Sequence, residues 1–434
     1  MFIVILITKL VQRILKIFGK GATTLPGRIA LFLKKDILFH LAKNVKVILI
    51  TGTNGKTTTA RIVEQGLKTA GFSYFINRSG ANLITGITTS FISNSDLFGK
   101  YKKDYAIIEC DENALKKVSV FIDADYLVVT NIFRDQLDRF GEVSTTLSAI
   151  KTGAENMKNC TLVLNTDDSL SFSLSRLSNN WVAYGVDTPL NFGGKGDNDY
   201  CVFCNSKLDF YYKTYSHLGN YRCSQCGFLR VNPKYAVEEI IELEEEYSAV
   251  IVKINNDCKL LKINLGGIYN VYNALAAVAV LSEIGVESNV IEMAVARFNG
   301  AFGRMENFGG LKMLLVKNPA GFTQTMNYLK TTDAENLVFV LNDNKADGRD
   351  VSWIWDAEIP VSDKVKKIYT FGIRSGDMAL RLKYEGYNTE VIKDYNRFYN
   401  VCRKNKTVII PTYTAMMALR PYFAQKYKKE AFWK

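Results

Sequence analysis

The chain has 434 residues, which is too long for one ordinary hydrophobic core and predicts two or three domains. A composition of 47% hydrophobic and 23% charged residues is that of a globular protein and excludes a low-complexity chain. The net charge of +12 favours polyanionic partners, without choosing among nucleic acid, anionic membrane and phosphorylated substrate. No stretch reaches the roughly 18 apolar residues of a membrane span.

The first twenty residues, MFIVILITKLVQRILKIFGK, predict a helix that is apolar at first and then amphipathic. Lys9, Arg13 and Lys16 follow the apolar run 2–7 at helical spacing. A signal peptide is not indicated, because no basic segment precedes the run and no small-residue cleavage site follows it. The helix packs on the body of the protein or on a partner, or it lies in the membrane interface, and the sequence leaves both alternatives open.

A phosphate-binding loop follows the next strand-like run. VKVILI (45–50) is continuously apolar, as expected for a buried parallel strand, and TGTNGKTTTA leads from it into a helical pattern over 56–70. Backbone N–H groups and the helix N-terminus would face the phosphates, and the lysine would neutralise them. The usual first glycine is replaced by Ile50, so the loop is a shortened form. The candidate phosphate-binding residues are Gly52, Thr53, Asn54, Gly55, Lys56, Thr57 and Thr58.

Polar residues, most of them acidic, follow the next three strand-like runs, at 105–109, 126–130 and 161–165. In a doubly wound parallel sheet the carboxyl ends of the strands form the ligand crevice, where acids can hold Mg²⁺. A single acid at such a place is as readily a solvated loop residue or a helix cap. Their recurrence at three strand ends favours a nucleotide site.

The motifs in this half of the chain resemble those of the Mur ligases and folylpolyglutamate synthetases. They are TGTNGKTTT, a strand-end glutamate, TN-x-x-RD-x-LD-x-x-G, LN-x-DD, G-x-YN-x-x-NALAA (267–277) and FNGAFGRME (298–306). The resemblance covers most of the chain from about residue 45. It implies that ATP phosphorylates a substrate carboxylate and that an amine attacks the acyl phosphate. It also implies that Thr57 and Glu109 bind Mg²⁺, and that Asn270 and Arg304 contact ATP.

Two positions depart from the family pattern. Gln136 stands where the ligases usually have a histidine, so the second metal contact is not carried over to it. The Asp-Tyr-Ala-His-x-Pro type run at the start of the last domain reads Leu-Leu-Val-Lys-Asn-Pro at 314–319, so its aspartate and histidine are absent. The carbamylated lysine of many family members cannot be placed by motif.

Four of the eight cysteines form two C-x2-C pairs separated by eighteen residues. Each pair can form a tight knuckle, and two knuckles complete the tetrahedron of a zinc ribbon with ligands Cys201, Cys204, Cys223 and Cys226. Four thiolates leave no open coordination position, which predicts a structural role; His217 is expected to be a bystander. The tyrosines between the two cysteine pairs could stack with nucleic-acid bases, but aromatic residues that form the core of a small module are the preferred interpretation.

A second alternation of strand-like and helical stretches begins after about residue 305. Strand-like runs at 336–343, 367–372, 388–392 and 407–413 alternate with helical stretches, which predicts a second, smaller α/β domain. LNDNKADGRDVSWIWD (341–356) overlaps the end of its first strand. Read as a calcium loop it fails, because Lys345 and Ile354 stand where ligands are needed.

The chain has only two histidines, His40 and His217, so it lacks a credible base for a Cys-His-acid glutaminase of its own. The ribbon insertion, KNPAG (317–321) and DGRDVSWI (347–354) resemble one branch of the family, the synthetase subunits that pair with a separate glutaminase, GatD. This implies amidation of the D-glutamate α-carboxylate of the lipid II stem peptide to D-isoglutamine, with ammonia from glutamine. It also implies that Asp350 completes the partner's catalytic triad.

Alternatives remain for the acids of this segment. Asp350 could instead be the N-cap of the following run, and Asp343 and Asp347 are expected to form turns or shape the loop. A free-standing ligase that adds an amino acid is disfavoured by the ribbon and the altered run at 314–319. A non-enzymatic nucleic-acid-binding protein is disfavoured by the intact Gly-Lys-Thr loop.

The sequence therefore predicts an α/β protein in three parts. An N-terminal helical segment (1–44) precedes a Mur-ligase-like, mostly parallel P-loop ATPase domain (45–304) with a zinc-ribbon insertion at about 198–230, and a smaller Rossmann-like C-terminal domain (305–434) follows. ATP, Mg²⁺ and structural Zn²⁺ are the expected cofactors, and GatD and lipid II the expected partners, with no nucleic acid. We expect the protein in the cytoplasm, at the inner face of the membrane if the N-terminal helix binds lipid.

Overall fold

The computed structural model describes residues 1–17, 23–77, 80–134, 143–190, 198–244, 246–255, 257–298, 305–330, 332–404 and 406–428. The chain forms two compact units. The first comprises Met1–Ile132 with Ser144–Phe298, and the second comprises Phe133–Val143 with Asn299–Lys434. Each unit is built on its own sheet with helices packed against it, which confirms the predicted α/β class.

The first unit contains a nine-stranded sheet in the order β11-β10-β9-β6-β5-β4-β1-β3-β2. Strands β1 to β6 are parallel to their neighbours and β9 is parallel to β6, whereas β10 is antiparallel to both β9 and β11. The strands are β1 (Lys46–Thr51), β2 (Tyr74–Ile76), β3 (Tyr105–Glu109), β4 (Tyr126–Val129), β5 (Thr161–Asn165), β6 (Trp181–Val186), β9 (Tyr235–Leu243), β10 (Ser248–Ile254) and β11 (Asp257–Ile263).

A separate hairpin, β7 (Asp209–Tyr215) and β8 (Leu218–Arg222), lies between β6 and β9 in the sequence and forms a two-stranded antiparallel sheet. It carries the four-cysteine insertion. Residues 47–51 of β1 and all of β3 are buried, which explains the apolar runs in their sequences.

Ten helices are described for the first unit. They are α1 (Phe2–Ile17), α2 (Leu25–Leu33), α3 (Ile37–Ala42), α4 (Lys56–Thr69), α5 (Ile84–Asn94), α6 (Glu112–Val118), α7 (Val143–Asn156), α8 (Ser169–Phe172), α9 (Ile268–Ile284) and α10 (Ser288–Arg297). Helix α9 is apolar on nearly all sides and is buried along its length, which is typical of a central core helix. Among the described residues, no helix is both long enough and apolar enough to cross a bilayer.

The second unit contains a six-stranded sheet in the order β12-β13-β17-β14-β15-β16. All neighbours are parallel except the hairpin of β12 and β13. Its elements are β12 (Met305–Phe308), β13 (Leu311–Leu314), α11 (Pro319–Lys330), β14 (Asn336–Val340), a 3-10 turn (Ser352–Trp355), β15 (Lys367–Phe371), α12 (Ser375–Tyr384), β16 (Thr389–Val391), α13 (Tyr395–Cys402), β17 (Thr407–Pro411) and α14 (Tyr413–Lys426).

Both faces of this second sheet are covered. Leu337 and Phe339 of β14 point into one core, with Trp353 from the 3-10 turn, while Val338 and Val340 point into the other. This period of two is what a strand with two buried faces requires. Segment 341–350 begins at the carboxyl end of β14, where the chain leaves the core.

Candidate functional site

The phosphate-binding loop connects β1 to α4. Gly52 and Gly55 both have positive φ angles, +122° and +86°. A Cβ atom at Gly55 would lie 1.9 Å from Oδ1 of Asn273, so only glycine fits this position. The loop is therefore held tightly against α9, and its backbone N–H groups lead directly into the N-terminus of α4.

Lys56 is buried at the start of α4 and is paired with Glu112. Its Nζ lies 2.7 Å from Oε1 of Glu112 and also donates to the carbonyl oxygen of Gly52. The two side chains are only 9% and 3% exposed. The other carboxylate oxygen of Glu112 is buried and has no hydrogen-bond partner among the described residues. The sequence placed Glu112 at a strand end but did not identify it as the partner of Lys56.

Thr57 and Glu109, the two residues expected to bind Mg²⁺, lie side by side. Thr57 Oγ1 donates to Oε2 of Glu109 at 2.9 Å. Asn77 fixes the backbone of Glu109 from the neighbouring strand, because its side-chain amide donates to the Glu109 carbonyl and accepts from the Glu109 N–H. A hydroxyl and a carboxylate at the end of a phosphate-binding loop are a donor set that fits Mg²⁺.

The end of β4 forms a second wall of the loop. Oδ1 of Asn131 accepts from the Asn54 N–H at 2.9 Å, and its carbonyl accepts from the Thr53 N–H at 2.9 Å. Thr130 Oγ1 donates to the Asn54 carbonyl at 2.7 Å. These contacts fix the loop backbone, which leaves its remaining N–H groups oriented in advance for an anion.

Asn270 lies in the first turn of α9, close to the same loop. Its side-chain amide donates to the Gly266 carbonyl at 2.8 Å, and its Oδ1 accepts from Asn273 at 3.4 Å. Asn273 in turn accepts from Thr59 of α4 through its carbonyl. The other residue expected to contact ATP, Arg304, lies outside the described residues, as does Gln136.

The four cysteines of the insertion form a compact cluster, as predicted. Their Sγ atoms all lie within 4.8 Å of one another. Cys201 and Cys226 are 3.5 Å apart, and Cys204 and Cys223 are 3.4 Å apart. Four sulfurs at about 2.3 Å from a tetrahedral zinc would be about 3.8 Å apart, so the cluster fits the metal.

Each cysteine pair is followed by one residue in the left-handed conformation, Asn205 (φ +58°) and Gly227 (φ +75°). In both turns the amide of this residue donates to the carbonyl of the first cysteine of the pair. Hydrogen bonds from Ser206 lower the pKa of the Cys204 thiol to about 6, whereas burial raises the pKa of Cys201 to about 12. The repeated turn is the local reason why a C-x2-C spacing predicts a metal knuckle.

The hairpin that joins the two knuckles is anchored on the fully buried Asp167. This carboxylate accepts from Arg230 Nε at 2.6 Å, from the Tyr272 hydroxyl at 2.5 Å and from the Val186 N–H at 2.7 Å. Its backbone carbonyl accepts from the Gly219 N–H of β8 at 2.9 Å. Asp167 therefore ties the insertion to β6 and α9.

Asp168, the next residue, also contacts the insertion. Its Oδ1 lies 3.3 Å from Nε2 of His217, and both side chains are fully buried. Its Oδ2 accepts from the Ile132 N–H at 2.7 Å, next to the wall of the phosphate-binding loop. Of the strand-end acids, Asp167 and Asp168 thus hold the insertion, and His217 lies outside the cysteine cluster.

In the second unit, the acids of segment 341–350 shape their own loop. Asp347 is buried and accepts from the Thr414 N–H at 2.7 Å and from the Asn344 N–H at 3.2 Å, which joins the loop to the start of α14. Asp343 pairs with Arg374 at 2.9 Å. Both contacts agree with the loop-shaping role expected from the sequence.

Asp350 follows in the same loop and is half-buried. Its Oδ1 accepts from the Ser352 N–H at 2.8 Å at the start of the 3-10 turn. This hydrogen bond holds the pKa of the Asp350 carboxyl below its usual range. The side chain is therefore a fixed, ionised carboxylate, although the N-cap residue of the 3-10 turn is Val351 and not Asp350.

Comparison with known proteins places these features in context. Residues 50–200 match the Mur ligase middle domain, and residues 315–416 match the MurT ligase C-terminal family. The chain is 36% identical over 430 residues to the MurT subunit of the glutamine-hydrolysing lipid II isoglutaminyl synthase of Streptococcus pneumoniae, covering 95% of this chain and 94% of that protein.

Solved structures with the same fold include a pseudomurein peptide ligase type C from Methanothermus fervidus. It has a TM-score of 0.70 and 24% identity, covering 90% of this chain and 80% of that one. The MurF ligase of Thermotoga maritima in complex with ADP has a TM-score of 0.65 and 15% identity, with 93% and 85% covered.

Proposed function

The chain belongs to the MurT family of Mur-type ligases, and from this we propose that it is the ATP-dependent synthetase subunit of a glutamine-hydrolysing enzyme that amidates lipid II. Its product would be the stem peptide with D-isoglutamine in place of D-glutamate. The proposal rests on two features that occur in the same chain. The first unit contains the phosphate-binding loop with its Lys56–Glu112 and Thr57–Glu109 contacts, and the second unit contains the MurT-type C-terminal segment.

The proposed reaction has two steps. The α-carboxylate of D-glutamate attacks the γ-phosphorus of ATP, which gives an acyl phosphate and releases ADP. Ammonia then attacks the acyl carbon, inorganic phosphate leaves with the electrons of the C–O bond, and the nitrogen loses one proton. In both steps the developing negative charge lies on phosphate oxygens, which preorganised N–H groups and a buried ammonium stabilise.

The residues of the phosphate-binding loop have distinct tasks in this proposal. The loop Gly52–Thr58 and Lys56 bind the β- and γ-phosphates, and Asn270 and Arg304 contact the nucleotide. Thr57 and Glu109 would hold Mg²⁺, which would supply positive charge to offset the negative charge of the phosphate groups. Glu112 keeps the Lys56 ammonium in place before the nucleotide binds, because it is the buried counter-ion of that group.

Ammonia is proposed to come from a second subunit, the glutaminase GatD. A glutaminase needs a nucleophile with a histidine base, and this chain has only two histidines. His217 is buried against Asp168, and His40 pairs with Asp36 at the surface at 3.0 Å. Neither is placed as the base of a catalytic cysteine, so the chain needs a partner for this half-reaction.

Asp350 is proposed to serve that partner. In a Cys-His-acid triad the acid orients the imidazole and stabilises its cation, and it must be ionised and rigid to do so. The hydrogen bond from Ser352 supports both properties. Zn²⁺ bound by the four cysteines has a structural role in this scheme, because thiolates would fill all its coordination positions.

A single assay tests the function. The protein is incubated with lipid II, ATP and Mg²⁺, and either ammonium or GatD with glutamine, and the product is analysed by mass spectrometry. We expect a product lighter by the difference between OH and NH₂, together with one ADP per product. A product heavier by an amino-acid residue would instead make the chain a free-standing ligase.

A further inference from the structure

Helix α1 presents its apolar side to the outside. Ile5, Thr8 and Gln12 form its buried side, so two of the three inward residues are polar. The exposed side consists of large aliphatic residues at helical spacing, which are Ile3, Leu6, Leu10, Ile14 and Ile17. A surface helix of a globular protein normally has the opposite arrangement, with its apolar side towards the core.

Hydrogen bonds fix this orientation. Gln12 Nε2 donates to Ser93 Oγ of α5 at 2.7 Å, and Lys9 Nζ donates to the Ser95 carbonyl at the end of α5. Thr8 Oγ1 donates to the Val4 carbonyl of α1 itself at 2.7 Å. Rotation of α1 about its axis would break the contacts that Gln12 and Lys9 make with α5, whereas the Thr8 hydrogen bond lies within α1 and does not depend on its orientation.

Helix α2 also exposes large apolar side chains, but its buried side is formed by small residues. Its buried side consists of Pro26, Gly27 and Ala30, so the helix backbone lies directly on α5. A Cβ atom at Gly27 would lie 1.8 Å from the Thr85 carbonyl oxygen, which makes glycine necessary there. Leu25, Phe32 and Leu33 of α2 are exposed, with Phe32 at 86%.

The charged residues at the start of the chain are all basic. The first 35 residues contain seven basic and no acidic residues, and the first acid is Asp36. Arg13 and Arg28, on the exposed sides of α1 and α2, are solvent-accessible. Lysine and arginine beside an exposed aliphatic surface are characteristic of helices that lie on anionic membranes.

We propose that the outward surfaces of α1 and α2 bind an anionic lipid bilayer, with both helices parallel to the membrane plane. The aliphatic side chains enter the boundary between headgroups and acyl chains, and Arg13 and Arg28 reach lipid phosphates. With sixteen residues, α1 is about 24 Å long, which suits a helix in the interface better than a span of about 20 residues.

The choice of a membrane over a protein partner rests on the charge pattern and on the proposed function. A second copy of this surface would bring like charges together across the contact, which is unfavourable. The proposed substrate carries its lipid tail in a bilayer, so a protein that lies on the bilayer meets it at high local concentration. This inference therefore deepens the proposed function by naming where the substrate is collected.

Vesicle flotation tests the proposal without ATP or substrate. The full chain is mixed with vesicles of phosphatidylcholine alone or of three parts phosphatidylcholine to one part phosphatidylglycerol. We expect binding to the anionic vesicles at least tenfold stronger than to the neutral ones. The triple variant Leu6→Ser, Leu10→Ser, Ile14→Ser should bind at least tenfold more weakly than the unmodified chain, since its outward aliphatic side chains are removed.

A matched control removes exposed aliphatic side chains elsewhere in the same unit. Ile241→Ser with Leu260→Ser changes residues that are 48% and 57% exposed on β9 and β11, and it should leave flotation unchanged. Equal melting temperatures would show that both variants fold. Undiminished flotation of the triple variant overturns the proposal. The proposal is also overturned if neither protein floats and the unmodified chain is a dimer without lipid, whereas the triple variant is a monomer.

The same proteins separate this inference from the proposed function. Amidation is measured on a water-soluble analogue that carries the stem peptide but no lipid tail, with no vesicles present. If the analogue and lipid II both remain unamidated while flotation is intact, the proposed function fails and the membrane surface stands. If amidation is normal and flotation does not depend on Leu6, Leu10 and Ile14, only the membrane surface fails.

Discussion

The ammonium group of Lys56 has a carboxylate partner before any phosphate reaches it. The Gly-Lys-Thr sequence predicts a phosphate-binding lysine, because loop, charge and helix N-terminus are contiguous in the chain. Glu112 could not be assigned in the same way, because its place depends on the parallel pairing of β1 with β3. The role of Glu112 follows from the sheet, and not from a motif.

Replacing Glu112 tests this pair. Glu112→Gln removes the carboxylate that is paired with a buried ammonium, so we expect the free energy of unfolding to fall by about 3 kcal/mol. A non-hydrolysable ATP analogue should then stabilise the variant more than the unmodified protein, because its phosphates restore negative charge beside Lys56. Urea unfolding with and without the analogue measures both effects.

The matched control is Glu64→Gln, which removes a partly exposed partner of Arg61 at 2.7 Å on α4. Such surface pairs contribute less than about 1 kcal/mol. If the Glu112 variant loses no more stability than this control, the Lys56 ammonium does not depend on Glu112.

Replacing Asp350 tests its proposed role in the partner's catalytic triad. In a complex with GatD, Asp350→Asn should lower glutaminase activity and glutamine-dependent amidation on the order of 10³-fold or more, as for a triad acid. Activity with ammonium should fall much less. Asp363→Asn, an exposed acid of the same unit, is the control. Unaltered glutaminase activity in the Asp350 variant would contradict the cross-subunit role.

The pH dependence of this effect follows from the lowered pKa of Asp350. The ionised form is favoured in the folded protein, so its contribution is complete above the usual aspartate pKa of about 4 and is lost only as the pH falls below it. Protonation of Asp350 should therefore not lower the glutaminase activity of the unmodified complex between about pH 6 and about pH 9, which a pH–rate profile would check.

Among the elements, the ribbon insertion was predicted in part. The knuckles are local, since each needs only a C-x2-C pair and one left-handed residue, and their spacing therefore indicated the cluster. The anchoring network was not predicted, because Arg230, Tyr272 and His217 come from three different segments. The acids after β5 looked like further Mg²⁺ ligands in the sequence, and only the packing of the hairpin revealed their partners.

Zinc removal should loosen this element. Cys204→Ser with Cys226→Ser removes the two exposed thiols of the cluster, so we expect loss of bound zinc and a lower melting temperature. Zinc is measured by atomic emission on the purified protein. Cys258→Ser, which removes another exposed thiol of the same unit, should change neither zinc content nor melting temperature. A full zinc content in the double variant would contradict the four-cysteine site.

The anchor can be tested separately from the metal. Tyr272→Phe removes a hydroxyl that bonds Asp167 at 2.5 Å and Thr214 at 2.7 Å, both buried. We expect a loss of about 1–3 kcal/mol in the free energy of unfolding, with zinc content unchanged. Tyr211→Phe in the same hairpin is the control, because its side chain is largely exposed. Equal effects of the two changes would show that the network contributes little.

For the whole molecule, the two separate cores predict two unfolding steps. Each unit has its own sheet and its own buried side chains, so calorimetry should resolve two transitions. Phe322→Ala, in the second unit, should lower one transition, since a buried phenylalanine contributes about 3–5 kcal/mol. Phe91→Ala, in the first unit, should lower the other. A single transition that both variants shift equally would contradict independent unfolding.

The buried acids after β5 also set an order in which the growing chain can fold during translation. Asp167 is followed by its partner Arg230 after 63 residues and by Tyr272 after 105 residues. A carboxylate cannot be buried without a partner, so this end of β5 must stay hydrated while the ribosome completes the insertion and reaches α9. The nucleotide-binding half of the chain therefore completes its folding late, after all four cysteines of the insertion have left the ribosome.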